Sequence, residues 1–151
     1  MRTLGNILWH FPFFGFLSAL MTFLIGGLFV ITVIGAPVGL GLIQLSKFLL
    51  SPFSSAMISK KELNKEQNKY WQTFSFIIRI LYFPFGLLLT VITIFQIAGL
   101  FISLVGIPVA LVLAKSLGTF LNPVNKACVP KAVEDELENR KAKAQVEKHL
   151  G

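Results

Sequence analysis

What this 151-residue chain lacks narrows its identity before what it contains. Its seven acidic residues lie in two places only: Glu62 and Glu66 near the middle, and Glu134, Asp135, Glu136, Glu138 and Glu147 near the end. From Thr3 to Ser46, and again from Ile80 to Ala114, no Lys, Arg, Asp or Glu occurs. Proton relays and cation sites inside membranes usually rest on Asp or Glu, so a proton-coupled transporter or a cation-selective pore lacks its usual parts. Cys128 stands alone, cannot form an internal disulfide and gives no argument for an oxidising compartment. His10 and His149 are far apart with no second ligand at metal spacing, and no nucleophile in the apolar tracts has an adjacent base. The glycines come without the strand or basic residue that a phosphate-binding loop requires. The expectation is a protein that is no enzyme and holds no cofactor or metal.

What remains is apolar. Hydrophobic residues make up 54% of the chain, 15 of them Phe, with a mean hydropathy of +0.73, which is the composition of an integral membrane protein. Each uncharged tract exceeds the ~20 residues needed to cross a bilayer. The N-terminal apolar stretch is too long for a cleaved signal and is followed by further apolar segments, so it reads as a retained helix. The two tracts also repeat each other. At an offset of 71 residues Gly15 falls on Gly86, Thr32 on Ser103, Gly35 on Gly106, Pro37 on Pro108, Leu50 on Leu121 and Pro52 on Pro123. That pattern reads as an internal duplication.

Basic residues cluster at Arg2, at Lys60, Lys61, Lys65 and Lys69, and from Lys126 through Lys131, Arg140, Lys141 and Lys143 to Lys148, whereas the Gly-x-Pro breaks carry no charge. The positive-inside rule then puts all three charged segments in the cytoplasm and both breaks on the other side. Each repeat must cross an even number of times, so the repeats are parallel rather than inverted. The expected fold is an all-α membrane protein of two tandem parallel repeats, each an interfacial helix plus a transmembrane helical hairpin, with four short transmembrane helices. The boundaries follow as membrane repeat 1 over 1–57, a basic cytoplasmic linker over 58–69, membrane repeat 2 over 70–128 and a charged tail helix over 129–151. Trp71, Phe74, Ile78 and Tyr82 recur at helical spacing within an amphipathic interfacial stretch over 70–82, after which Pro84 starts a new outward helix over 85–104. In repeat 1 an interfacial stretch near 3–11 carries Trp9, Pro12 follows, and the outward span runs from about 14 to 34. The return segments 38–51 and 109–122 each cover only about 21 Å at about 1.5 Å per residue, against a ~30 Å hydrocarbon core. Either they are short spans shielded by neighbouring helices, or they are re-entrant.

Lys47 and Lys115 are the charges inside the return segments. Lys115 corresponds to Gln44 in the repeat frame, and Lys47 lies one helical turn beyond Gln44, so both repeats set an ammonium on one stripe. Two readings stand: the stripe faces a pore or the bundle interior and attracts anions, or each Lys snorkels to the cytoplasmic headgroups. Gln96, Gly99, Ser103 and Gly106 share one face of the second outward helix, as close-packing residues or as a wetted lining. Gly35, Pro37, Gly106 and Pro108 form the hairpin turns.

The double occurrence of Gly35-Ala36-Pro37-Val38-Gly39 to Leu50-Ser51-Pro52-Phe53 and Gly106-Ile107-Pro108-Val109-Ala110 to Leu121-Asn122-Pro123-Val124 resembles the YccF inner-membrane component family of small bacterial proteins. A lysine at Lys115 is also similar to the family pattern. The chain departs from it at Ser54 and Asn125, where the family favours Gly, and at Ser51 and Asn122, where Trp is frequent. The resemblance implies a multi-pass protein of the bacterial inner membrane and brings no activity with it. One chain with four short spans cannot enclose a pore, so the functional expectation is a homo-oligomeric ion channel, with anions favoured by the paired lysines. The alternative is a non-conducting scaffold or accessory subunit of another membrane complex. Expected partners are the lipid bilayer, anionic lipids attracted by the net charge of +7, and further copies of the chain, with no nucleic acid.

Overall fold

The computed structural model describes residues 2–11, 13–63 and 68–151. Six helices and two strands follow one another as α1 (Arg2–His10), α2 (Gly15–Ile31), α3 (Ala36–Leu50), β1 (Ser55–Ser59), α4 (Lys69–Ile102), a 3₁₀ turn (Leu104–Gly106), α5 (Ile107–Leu121), β2 (Lys126–Pro130) and α6 (Lys131–Leu150). Pro12, Lys65 and Glu66 lie outside the described residues.

The two returning helices start where the Gly-x-Pro motif directs. Pro37 and Pro108 occupy the first turn of α3 and α5, where the missing N–H would have no partner and the fixed φ suits a helix. Ile107 stands 71 residues after Ala36, Leu121 the same distance after Leu50, and the bounds of β2 lie 71 residues after those of β1. The turns themselves differ. Before α3, Val33 adopts a φ of 59°, an unfavourable left-handed conformation for a β-branched residue, whereas before α5 the 3₁₀ turn takes over.

α3 is the most enclosed helix and packs along α2; α5 packs along α4. Leu45, Phe48 and Leu49 of α3 join Trp9, Ala19 and Val112 in the main core cluster. The other faces of α2 and α4 are apolar and exposed, from Phe16, Leu20, Met21 and Leu24 to Phe83, Leu88, Ile92 and Phe95. Outward-facing apolar side chains at this density suit a lipid solvent. By length and composition two segments can cross a membrane, Lys69–Ile102 and Leu104–Leu121, or three if the pair α1 and α2, bent by 76°, counts as one; α3 is shorter.

Three expectations need correction. The protein is not all-α: β1 and β2 form an antiparallel pair that ties the end of the first half to the end of the second. The register is centred on Met57 opposite Cys128, and Ala56, Ile58 and Val129 bury their side chains beneath it. Accordingly, the expected boundaries at 57/58 and 128/129 fall inside β1 and β2 rather than at linkers. Third, Pro84 does not start a helix. It sits inside the 34-residue α4, which runs unbroken from the amphipathic stretch into the apolar one. A proline removes one hydrogen bond and kinks a helix, and a long helical run on both sides carries the chain through.

The first half does break at the corresponding place, and local contacts explain it. Phe14 takes a φ of 51°, and the indole of Trp9 lies so close to Gly15 that an added Cβ would come within 2.0 Å of its Nε1. Trp9 Nε1–H donates to the Leu49 carbonyl at 2.8 Å, and His10 Nε2 donates to that of Leu50 at 2.8 Å. These bonds anchor α1 to the end of α3. In α4 the equivalent glycine, Gly86, lies instead against the Leu121 carbonyl, 2.4 Å from where a Cβ would stand.

Candidate functional site

The residues singled out in the sequence gather in two places. At the end where α3 and α5 meet the sheet, each returning helix reaches across to the other half. Lys115 Nζ donates to the Pro52 carbonyl at 3.1 Å and stands 4.9 Å from the centroid of the Phe53 ring. Phe53 is positioned in turn by Asn6, whose Oδ1 accepts from the Phe53 N–H at 3.0 Å while its Nδ2 donates to Ser54 Oγ. Gln44, the repeat counterpart of Lys115, accepts from the Cys128 N–H at 3.1 Å. Between these ties Gly41 meets the Pro123 backbone, with room for no side chain at all. Lys47 is exposed at the same end. A cavity of about 220 Å³ opens here, lined by Lys115, Phe48, Met57, Lys131 and Glu134 among others.

Charge pairs join both neighbouring and distant parts of the chain. Lys131 pairs with Glu134, which pushes its ammonium above the usual lysine range, and lies 3.5 Å from Asp135. Lys141 of α6 pairs with Glu62 and holds that carboxyl below the ordinary range, helped by the Ser59 N–H. Burial pushes the Cys128 thiol up.

The second place is the outer face of α4. Gln96, Gly99 and Ser103 are all exposed there, and an added Cβ on Gly99 would meet nothing within 4 Å. The structure therefore engages Lys115 and Gln44 each with the opposite half, at Pro52 and at Cys128, and leaves Gln96 and Ser103 exposed. Gly35 and Gly106 stay at the hairpin turns, each close to the preceding helix. Sequence reasoning missed Pro52 and Phe53 as the groups that engage Lys115, and Asn6 as the group that positions Phe53. The signal available was the Pro-Phe pair after Leu50, which the second half carries as Pro-Val.

A small, mostly helical chain with lipid-suited helices is an integral membrane protein by fold. Residues 4–55 match the YccF family model, described as an inner membrane component domain, so the resemblance seen in the motifs stands on that stretch and the location it gives is the bacterial inner membrane. No curated protein and no solved structure gives a significant match.

Proposed function

We propose that the protein is a multi-pass homo-oligomeric channel whose two halves are parallel repeats with both termini in the cytoplasm. The observation that carries this reading is Gln96. Its carboxamide is exposed on a span whose most apolar stretch has a mean hydropathy of 2.3 and is only 11% buried. A primary amide facing hydrocarbon is costly, and a second copy of the chain, or water along a shared axis, relieves that cost. Gly99 leaves space for close approach, and Ser103 continues the polar face. In a closed ring the same face of every copy turns toward the symmetry axis. The repeat reading draws support from the shared 71-residue displacement of α5 and β2 and from the register centred on equivalent residues. Anion preference in this scheme comes from basic residues at the cytoplasmic mouth, with Lys47 exposed and Lys115 already engaged within its own chain.

The test is stoichiometry in nanodiscs together with current in planar bilayers. A ring-forming oligomer that conducts, and whose conductance falls in Gln96→Leu, supports the reading. A reversal potential that shifts under a salt gradient in Lys47→Glu but not in Lys115→Glu supports the charge assignment. A monomer without current at any voltage refutes the channel and favours the scaffold, a reading supported by α6, a charged helix with no buried residue. Labelling of Lys143→Cys by an impermeant thiol reagent in intact cells would refute the topology.

A further inference from the structure

A cleft of about 590 Å³ opens between the first turns of α4 and the turn that leads into β2. That volume is within the range of small-ligand sites. Four cations from three separate elements line it, Lys60 and Lys61 after β1, Arg79 on α4 and Lys126 on β2, and among the described residues no carboxylate does. The sheet holds them there: Ser59 pairs with Lys126, and the Lys60 N–H donates to the Asn125 carbonyl at 2.9 Å. Asn125 makes this turn with a φ of 57°, a conformation that Asn tolerates well. Glu62, the acid nearest in sequence, is engaged by Lys141. Four cations lining one cleft with no counter-charge among the described residues repel one another, which is the arrangement expected of a site that holds an anion.

The cleft also contains an unexplained buried group. Ser75 lines it, is 1% exposed, and its hydroxyl has no hydrogen-bond partner among the described residues. Serines in helices commonly bond back to a carbonyl three or four residues earlier, as Ser46 and Ser116 do here. A buried hydroxyl left unmade is destabilising unless a ligand oxygen completes it. The first turn of α4 adds a positive end: it carries no acid, and the Asn68 side chain makes no capping bond. From the cleft Phe76, Ile80 and Phe83 continue along α4 at helical spacing, each more than half exposed.

We propose that this cleft binds the phosphate headgroup of an anionic membrane lipid, with Arg79, Lys126 and their neighbours on the phosphate, Ser75 donating to one of its oxygens, and the acyl chains lying along Phe76, Ile80 and Phe83. The apolar stripe that continues from the cleft favours a lipid over free phosphate. This assignment stands apart from the channel reading and survives its failure.

The experiment is native mass spectrometry of the full-length protein released from micelles doped with equal amounts of phosphatidylglycerol and phosphatidylcholine. Wild type retains phosphatidylglycerol preferentially. One cation near an anionic headgroup is worth about fivefold in affinity, so Arg79→Gln/Lys126→Gln lowers the preference by about 25-fold or to parity, whereas Lys143→Gln/Lys148→Gln on α6, which removes equal charge, leaves it unchanged. Ser75→Ala lowers retention without lowering the melting temperature of lipid-free protein, since it removes a hydroxyl that has no partner among the described residues. Equal retention of both lipids by wild type overturns the proposal, as does an equal loss in the two double variants. Displacement of the lipid by millimolar inorganic phosphate or glycerol phosphate overturns the lipid assignment in favour of a soluble phosphate ligand.

Discussion

Replacing Gly41 by Ala tests whether the two halves meet as described. In α3 this is nominally a helpful change, because Ala stabilises a helix interior by up to about 1 kcal/mol over Gly. At Gly41, however, the new Cβ would stand 1.9 Å from the Pro123 carbonyl oxygen and 2.6 Å from its carbonyl carbon. The obstacle is backbone, which cannot rotate aside, and it belongs to the other half of the chain. α3 and the turn after α5 must separate by more than about 1 Å, and overpacking of this kind costs about 1–3 kcal/mol or more. Separation also strains the Gln44 to Cys128 bond beside it. The net expectation is a loss of about 1–2 kcal/mol or more. Gly118→Ala serves as the control, because nothing lies within 4 Å of its added Cβ; there the helix gain stands alone and stability rises by up to about 1 kcal/mol. Thermal unfolding in one detergent, followed by circular dichroism, reads both. A Gly41→Ala protein as stable as wild type, or two variants shifting in the same direction, would mean that α3 does not approach Pro123 and that the cross-half packing is wrong.

Lys115→Met removes a charge-assisted hydrogen bond and a ring contact, so the melting temperature should fall by an amount equivalent to about 1–3 kcal/mol; Lys115→Arg should recover most of it, and an unchanged melting temperature in Lys115→Met would remove the Pro52 tie. Because Lys141 holds the Glu62 carboxyl below its ordinary 4.5, the folded state binds that proton less readily than the unfolded chain. The stability this adds is full above about pH 4.5 and is lost as pH falls through the lowered value. Protection factors of α6 amides, corrected for the intrinsic pH dependence of exchange, should therefore fall on acidification by less in Glu62→Gln than in wild type. Burial raises the Cys128 thiol, so it should alkylate more slowly at pH 7.5 than an unfolded control; equal rates would argue against the buried strand.

The starts of α3 and α5 were legible because their signals are physical and local. Gly35-Ala36-Pro37 and Gly106-Ile107-Pro108 put a proline where only a helix start accepts one, and the observed starts of α3 and α5 fall two residues before those expected. The tail helix was equally plain from its acids early and bases late. The sheet was not. Ser55–Ser59 and Lys126–Pro130 are five residues each, and β1 leads directly into the lysine run that marked a linker. What makes them strands is pairing with a partner far along the chain, which no window of sequence contains. Lys115 was noticed for its charge, but Pro52 and Phe53, sixty-odd residues earlier, gave no sign of being its partners. The α4 cleft was visible only as scattered basic patches, since the approach of Lys126 to Lys60 and Lys61 depends on the same pairing.

That pairing sets an order of events during synthesis. When β1 leaves the ribosome its partner is still 71 residues away, which at about 5–20 residues per second is roughly 4–14 s. Throughout that interval the first half carries an unpaired strand edge, the kind of edge that recruits other chains. The five-residue length of β1 and the lysines that follow it are features that blunt such an edge. Closure of the sheet is therefore a late step that waits for the second half to arrive, and translational pausing between residues 60 and 126 would lengthen the window for misassembly.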